Sequence, residues 1–205
     1  MNIINAFPTP IAYVENFLNE NQIKILTHHV YKSRVRMEYS NITNTPNMVN
    51  DKIISNNLIP EILSKLKEFG SQLYGDEKME WVVKNIWGNL TIPDGGQGIH
   101  NHANSVVSGI IYLTDPNETN HTTFIRNNMF SGYAFLQHRV KGKFTPYNRN
   151  EIEFDVAKQG DMVLFPSYLN HFVKDNNTSN NRITLSFNSF PTIMSVEGWY
   201  DISLS

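Results

Sequence analysis

Cysteine is missing from all 205 positions of the chain. That one absence excludes disulfides, thiolate metal sites and thiol nucleophiles together, so any bound metal must draw on histidine, carboxylate, amide or water. Charge is scarce too: Asp, Glu, Lys and Arg make up 18% of residues and the net charge is −2. No global basic field announces sequence-independent binding to nucleic acid, although a local basic patch is left open. Long apolar runs are also lacking. No stretch approaches the ~18 apolar residues of a membrane span, and the opening MNIINAFPTPIAYVENF has no basic segment leading into an apolar one. The expectation is a soluble, cytoplasmic protein without membrane contact; oligomeric state is not legible.

What is present is apolar and aromatic: 40% hydrophobic residues, with 12% Phe, Trp and Tyr, suit β-rich packing. Residues 1–15 alternate around two prolines as an entering strand would. Helical spacing follows from Asn19 to His29, where Asn19 or Asn21 can cap the start. A second helix is expected over Ile59–Leu73, whose residues Ile59, Ile62, Leu63, Leu66, Phe69 and Leu73 form one stripe. The polar, Asn-rich residues 38–52 between them read as loop. Beyond Glu80 the texture turns to β: WVVKNIWGNLTI, SVVSGIIYL, TTFI, EIEFDV, DMVLF and RITLSF are short β-branched and aromatic runs separated by Gly, Asp, Asn and Pro. The layout predicts one domain over 1–205, with a helical part at about 16–75 and a mainly β sandwich or barrel at about 80–190. The segment from Phe130 to Glu151 reads equally as a strand pair or as a long loop over a site.

Seven histidines are present, and their placement matters more than their number. His100 and His102 lie in GGQGIHNHANS, after a Gly-rich turn and before an apolar strand. In extended backbone, side chains two apart share a face, so these imidazoles can converge on one point. His171 follows another strand, in GDMVLFPSYLNHFV. A pair plus a distant third histidine supplies one face of an octahedron and leaves positions open. A lone His-x-His also arises by chance and often only packs. His28 and His29 fall on the first helix as surface or packing residues, and His121 and His138 have no supporting pattern.

Arg182 strengthens the metal reading. It stands eleven positions after His171, across the polar turn DNNTSNN, at the start of RITLSFN. Alternation places Arg182, Thr184, Ser186 and Asn188 on one face and Ile183, Leu185 and Phe187 on the other. A buried carboxylate is one reason for such a polar face, because guanidinium is a planar, permanently charged, bidentate partner and a serine hydroxyl adds a donor. An edge strand with a solvated face is the other.

The order His-x-His, SGIIYL, GDMVLFPSYLNH, RITLSFN resembles the 2-oxoglutarate and iron(II)-dependent oxygenase superfamily. More narrowly it is similar to a small subgroup of marine bacteria and tailed phages, which AFPTPIAYVENFL also resembles. The resemblance implies a double-stranded β-helix, or jelly roll, located in the host cytoplasm if phage-encoded. It further implies Fe(II), 2-oxoglutarate and O2, with ascorbate as a stimulant. His100 opens the implied metal triad and His171 closes it; Arg182 binds the distal carboxylate of 2-oxoglutarate, helped by Tyr112 and Ser186. His102 stands where the common motif has an aspartate. An all-histidine triad is therefore the expectation, with an amide oxygen of Asn101 or Asn104, or water or halide, as alternatives for the second position. Asp94 in Pro-Asp-Gly-Gly and Asp161 in Gly-Asp read as turn residues.

The expected activity is oxidative decarboxylation of 2-oxoglutarate to succinate, coupled to hydroxylation of a prime substrate: a protein side chain, a nucleobase or a small molecule. A non-catalytic jelly-roll module and a cupin-like three-histidine dioxygenase without 2-oxoglutarate are the competing readings. Arg139, Lys141, Lys143, Phe144, Tyr147 and Arg149 make the 130–151 segment a candidate substrate contact or simply a solvated loop. Trp87 and Asn89 are candidates for the pocket wall, Trp87 equally for the core.

Overall fold

The computed structural model describes residues 1–5, 8–36, 41–116, 119–126, 149–175, 179–196 and 200–204. After the short strand β1 (Ala12–Val14), α1 (Glu20–Ser33) starts at a reciprocal cap. The Gln22 backbone N–H donates to Asn19 Oδ1 at 3.0 Å, and the Asn19 N–H donates to Gln22 Oε1 at 2.9 Å. Strands β2 (Val35–Arg36) and β3 (Ile42–Asn44) follow, then α2 (Lys52–Asn57) and α3 (Ile59–Tyr74). Helix α3 has Pro60 in its first turn and ends on Gly75, whose φ of 70° is a left-handed value that glycine adopts without strain.

Two expectations for this half need correction. The stretch 38–52 is not loop throughout, because Ile42–Asn44 pairs antiparallel with the following strand and buries Ile42. A short strand can be held by its neighbours' ladders in spite of a polar, Asn-rich context. Helix α2 went unpredicted: its six residues are too few to show a period, and Asp51 caps it by accepting from the N–H groups of Ile53 and Ile54.

The β part comprises β4 (Trp81–Thr91), β5 (Gln97–His100), β6 (Val107–Tyr112), β7 (Thr122–Ile125), β8 (Glu151–Glu153), β9 (Met162–Pro166), β10 (His171–Val173) and β11 (Arg182–Pro191), followed by the hairpin β12 (Ile193–Val196) and β13 (Tyr200–Ser203). A seven-stranded sheet has the order β1-β9-β6-β11-β4-β3-β2 and a four-stranded sheet the order β5-β10-β7-β8, every pair antiparallel. This is the expected jelly roll. Two apolar layers hold it. Outside the large sheet, Leu26, Val30, Ile62 and Leu66 of the helices pack on Ile86, Leu90, Ile111, Leu164, Leu185 and Phe187. Between the sheets, Phe124 of β7 meets Ile110, Tyr112, Val163 and Phe165.

Close approach explains two glycines within the strands. A Cβ on Gly88 would lie 2.6 Å from a Val30 methyl, so α1 can sit on β4 only where the side chain is missing. A Cβ on Gly109 would collide with the Phe187 ring, which lies over it from the paired position on β11.

Candidate metal centre

The small sheet carries two of the three histidines as direct neighbours: His100 at the end of β5 is in register with His171 at the start of β10. His102 lies two residues past His100, just beyond the strand, where its backbone N–H donates to Ser167 O at 2.9 Å and ties it to the turn between β9 and β10. The convergence expected of a His-x-His pair is thus achieved by a strand end and an anchored turn, not by one continuous strand. Ring centroids lie 4.2 Å apart for His100 and His171, 5.3 Å for His100 and His102, and 5.2 Å for His102 and His171. One ring nitrogen from each falls within 4.8 Å of the others. Among the described residues no carboxylate joins this group.

The rings are prepared for coordination by what surrounds them. His171 Nδ1 faces Leu169 O at 3.0 Å and His100 Nδ1 faces Gly98 O at 2.9 Å. Such contacts place the proton on Nδ1 and direct the Nε2 lone pair elsewhere. Burial among Phe165 and Phe124 pushes the His171 pKa down to about 3, offset in part by the Leu169 carbonyl and reinforced by the other two histidines. Burial and then His100 bring His102 to about 4. Both are neutral imidazoles at pH 7, the form that binds metal. Gln97, whose amide nitrogen is 3.3 Å from His100 Nε2, also belongs to this group.

Across the cleft, β11 presents the face that alternation predicts. Arg182, Thr184 and Ser186 line the same cleft as the histidines, together with Trp87 and Asn89 of β4. Trp87 Nε1 donates to Asn89 Oδ1 at 3.0 Å, and Asn89 Nδ2 donates to Ser186 Oγ at 2.9 Å. Accepting from Asn89 leaves the Ser186 hydroxyl hydrogen available for donation. Arg182 is 4% exposed. Its Nη2 donates to Thr122 Oγ1 at 3.2 Å, its guanidinium lies 5.6 Å from the Tyr112 ring centroid, and its Nε has no partner. Burial lowers the pKa of Arg182, while Tyr112 beside it acts in the opposite direction. Burial raises that of Tyr112, whose hydroxyl is bonded to Thr122 Oγ1 at 2.9 Å. Among the described residues no carboxylate pairs with Arg182.

Thr122 and Gln97 are the contributors that sequence reasoning missed. A threonine in a strand carries no mark of its own, and a glutamine beside a Gly-rich turn reads as surface. The other candidates fall outside the cleft. Asn101 is exposed and donates to Asn170 Oδ1 at 3.0 Å, and Asn104 is exposed. Asp94, at φ 62°, is an exposed turn residue. Asp161 is buried but committed, accepting from the Tyr13 hydroxyl and the backbone N–H groups of Asn16 and Lys158. His28 is exposed and His29 lies 3.1 Å from Asp51. His138, Arg139, Lys141, Lys143, Phe144 and Tyr147 lie outside the described residues, as does most of the segment 130–151.

With this geometry in view, comparison with known proteins is specific. The family model described as "Putative 2OG-Fe(II) oxygenase" matches residues 85–188, a span that holds all three histidines and Arg182. No curated protein matches the sequence. Among solved structures, the non-heme alpha ketoglutarate dependent epimerase SnoN from nogalamycin biosynthesis aligns over 90% of this chain and 80% of its own, with TM-score 0.66 and 12% identity. The carbocyclase SnoK from the same biosynthesis aligns over 90% and 81%, with TM-score 0.64 and 14% identity. HygX from Streptomyces hygroscopicus, solved with nickel, 2-oxoglutarate and hygromycin B bound, aligns over 90% and 84%, with TM-score 0.62 and 12% identity. At such identities the likeness is one of fold.

Proposed function

Because the chain belongs to the 2OG-Fe(II) oxygenase family, we propose that His100, His102 and His171 hold its iron, that Arg182 receives its 2-oxoglutarate, and that the outcome is hydroxylation of a prime substrate. The observation that carries the reading is a fully buried guanidinium with an unpartnered Nε and, among the described residues, no carboxylate beside it, facing a cleft that three imidazoles share. A buried cation without a counter-charge is costly, and a dicarboxylate co-substrate supplies one. The donor set fits equally well: nitrogen ligands suit Fe(II), and three on one face leave room for a chelating keto acid and oxygen.

When bound, iron, 2-oxoglutarate and O2 supply the oxidising chemistry, in which 2-oxoglutarate becomes succinate and carbon dioxide and one oxygen atom enters the substrate. The chain itself binds and orients. Leu169 O and Gly98 O fix the tautomers of His171 and His100, and the Gln97 amide nitrogen, 3.3 Å from His100 Nε2, marks the position that a metal on that ring would take. Thr122 accepts from Arg182 and so sets the plane of the guanidinium, while the Tyr112 phenol, kept protonated by burial, fills the space behind it. Ser186, already accepting from Asn89, lines the same cleft and would offer its hydrogen to an acceptor bound there. With histidine in place of the usual aspartate at 102, the protein contributes no negative charge to the metal, which favours anionic co-ligands.

Purified protein supplied with Fe(II), ascorbate and carboxyl-labelled 2-oxoglutarate is expected to release labelled carbon dioxide slowly even without prime substrate, and Arg182→Ala to abolish the release. Iron binding with turnover indifferent to Arg182 would support a three-histidine dioxygenase that does not use 2-oxoglutarate. Absence of both iron and 2-oxoglutarate binding would leave only a non-catalytic jelly roll.

A further inference from the structure

A second hollow, of about 510 Å³, opens beside the histidine cleft and shares one wall with it, His102. Leu73 and Tyr74 enter it from the end of α3, Pro166 from the end of β9, Tyr168 from the turn after it, and Pro10 from ahead of β1. We infer that this groove holds the prime substrate, and that the substrate is a small uncharged molecule whose flat ring packs against Tyr74 and Tyr168. The inference rests on the oxygenase reading above and adds the class of molecule oxidised.

Four observations lead there. The shared wall means that a molecule in the groove lies against His102, next to the cluster proposed to hold iron. The volume falls within the range of about 300–1,000 Å³ typical of small-molecule sites. Among the described residues, none lining the groove is Asp, Glu, Lys or Arg. A charged ligand leaving water would find no counter-charge, and a polynucleotide would find no cation for its phosphates. Finally, two aromatic rings are left largely unburied, Tyr74 at 53% and Tyr168 at 56% exposure, although both lie on this one concave surface. Large rings that the core does not use, gathered in one hollow, are suited to face-to-face or edge packing with another ring. Two of the polar groups on the wall are engaged within the protein: Asn101 donates to Asn170, and the Ser105 hydroxyl is held between the carbonyls of Val107 and Ser189. Shape and apolar contact, more than hydrogen bonding, therefore select the ligand.

The test is anaerobic titration calorimetry on the protein supplied with Fe(II) and 2-oxoglutarate, using three probes built on one ring system: neutral 2-naphthol, anionic 2-naphthoate and cationic 2-naphthylmethylammonium. The neutral ring is expected to bind, and both charged rings to bind at least about tenfold more weakly for want of a partner charge. Tyr168→Ala and Tyr74→Ala are each expected to weaken 2-naphthol binding about tenfold through the lost ring contact, while Tyr168→Phe retains it. Thermal unfolding of each variant reports whether it is folded. No binding of 2-naphthol, equal binding of the charged rings, or full affinity in Tyr168→Ala would overturn the inference. The rise in melting temperature on adding 2-oxoglutarate, read on the same samples, keeps the two proposals apart. Its absence counts against the co-substrate assignment, whereas its presence with no preference for the neutral ring counts against the groove alone.

Discussion

The two faces of β11 differ in what they are built to withstand. Toward the helices, Ile183, Leu185 and Phe187 are at most 1% exposed and packed in the larger apolar layer. Toward the cleft, one residue away each time, stand Arg182, Thr184 and Ser186, with an unpartnered guanidinium nitrogen among them. The first face is satisfied in the protein alone. The second, among the described residues, is not, and a cleft proposed to take an ion and an acid is expected to carry that kind of unmet demand at the expense of stability.

Substitutions on the two faces should therefore move different measurements. Phe187→Ala removes a ring seated on Gly109 and is expected to lower unfolding free energy by about 3–5 kcal/mol in chemical denaturation, with a far smaller effect on 2-oxoglutarate binding than Arg182→Ala in whatever protein remains folded. Arg182→Ala should do the reverse. Its apparent KM for 2-oxoglutarate is expected to rise about a hundredfold or more, while the melting temperature of the co-substrate-free protein holds or rises, because a buried unpaired charge has been removed. A fall in melting temperature as large as that of Phe187→Ala would make Arg182 a structural residue and dissolve the contrast.

A third expectation concerns pH. His102 and His171 have pKa values of about 4 and about 3 in the folded protein, against 6.5 for an unconstrained imidazole. Above pH 6.5 neither folded nor unfolded chain is protonated at these sites, and their contribution to stability is complete. As pH falls below 6.5 the unfolded chain takes up protons that the folded one refuses, so metal-free protein loses stability down to about pH 3. Urea midpoints measured across that window should decline in wild type and decline less in His171→Phe; parallel curves would show that the cluster does not govern acid sensitivity. The smallest effect belongs to the helical layer: Asn19→Ala removes the cap of α1 and should cost about 1 kcal/mol with no change in KM.

What could be read from the sequence follows the same division. The alternation of β11, the stripe of α3 and the apolar runs that became β4, β6 and β9 were legible because repetition at a fixed period is itself the signal. The short histidine-bearing strands were not. β5 and β10 are four and three residues long and set among Gly and Asn, so nothing local distinguishes them from turns; their order comes from pairing with each other and with β7. His100, His102 and His171 could be picked out, but the register that makes two of them neighbours is a tertiary property. Thr122 had no signal at all until Arg182 was placed against it. The strand hidden in 38–52 shows the converse case, in which an Asn-rich segment is drafted into a sheet because β4 offers it a free edge.

The pairing of His100 with His171 has a further consequence for how such a molecule can vary. Seventy positions of chain separate the two, yet their spacing is set by the adjacent strands β5 and β10, so it does not depend on the length of what runs between. The distance between the two rings is thus a property of the ladder, fixed by a pair of neighbouring strands however far apart they stand in the chain.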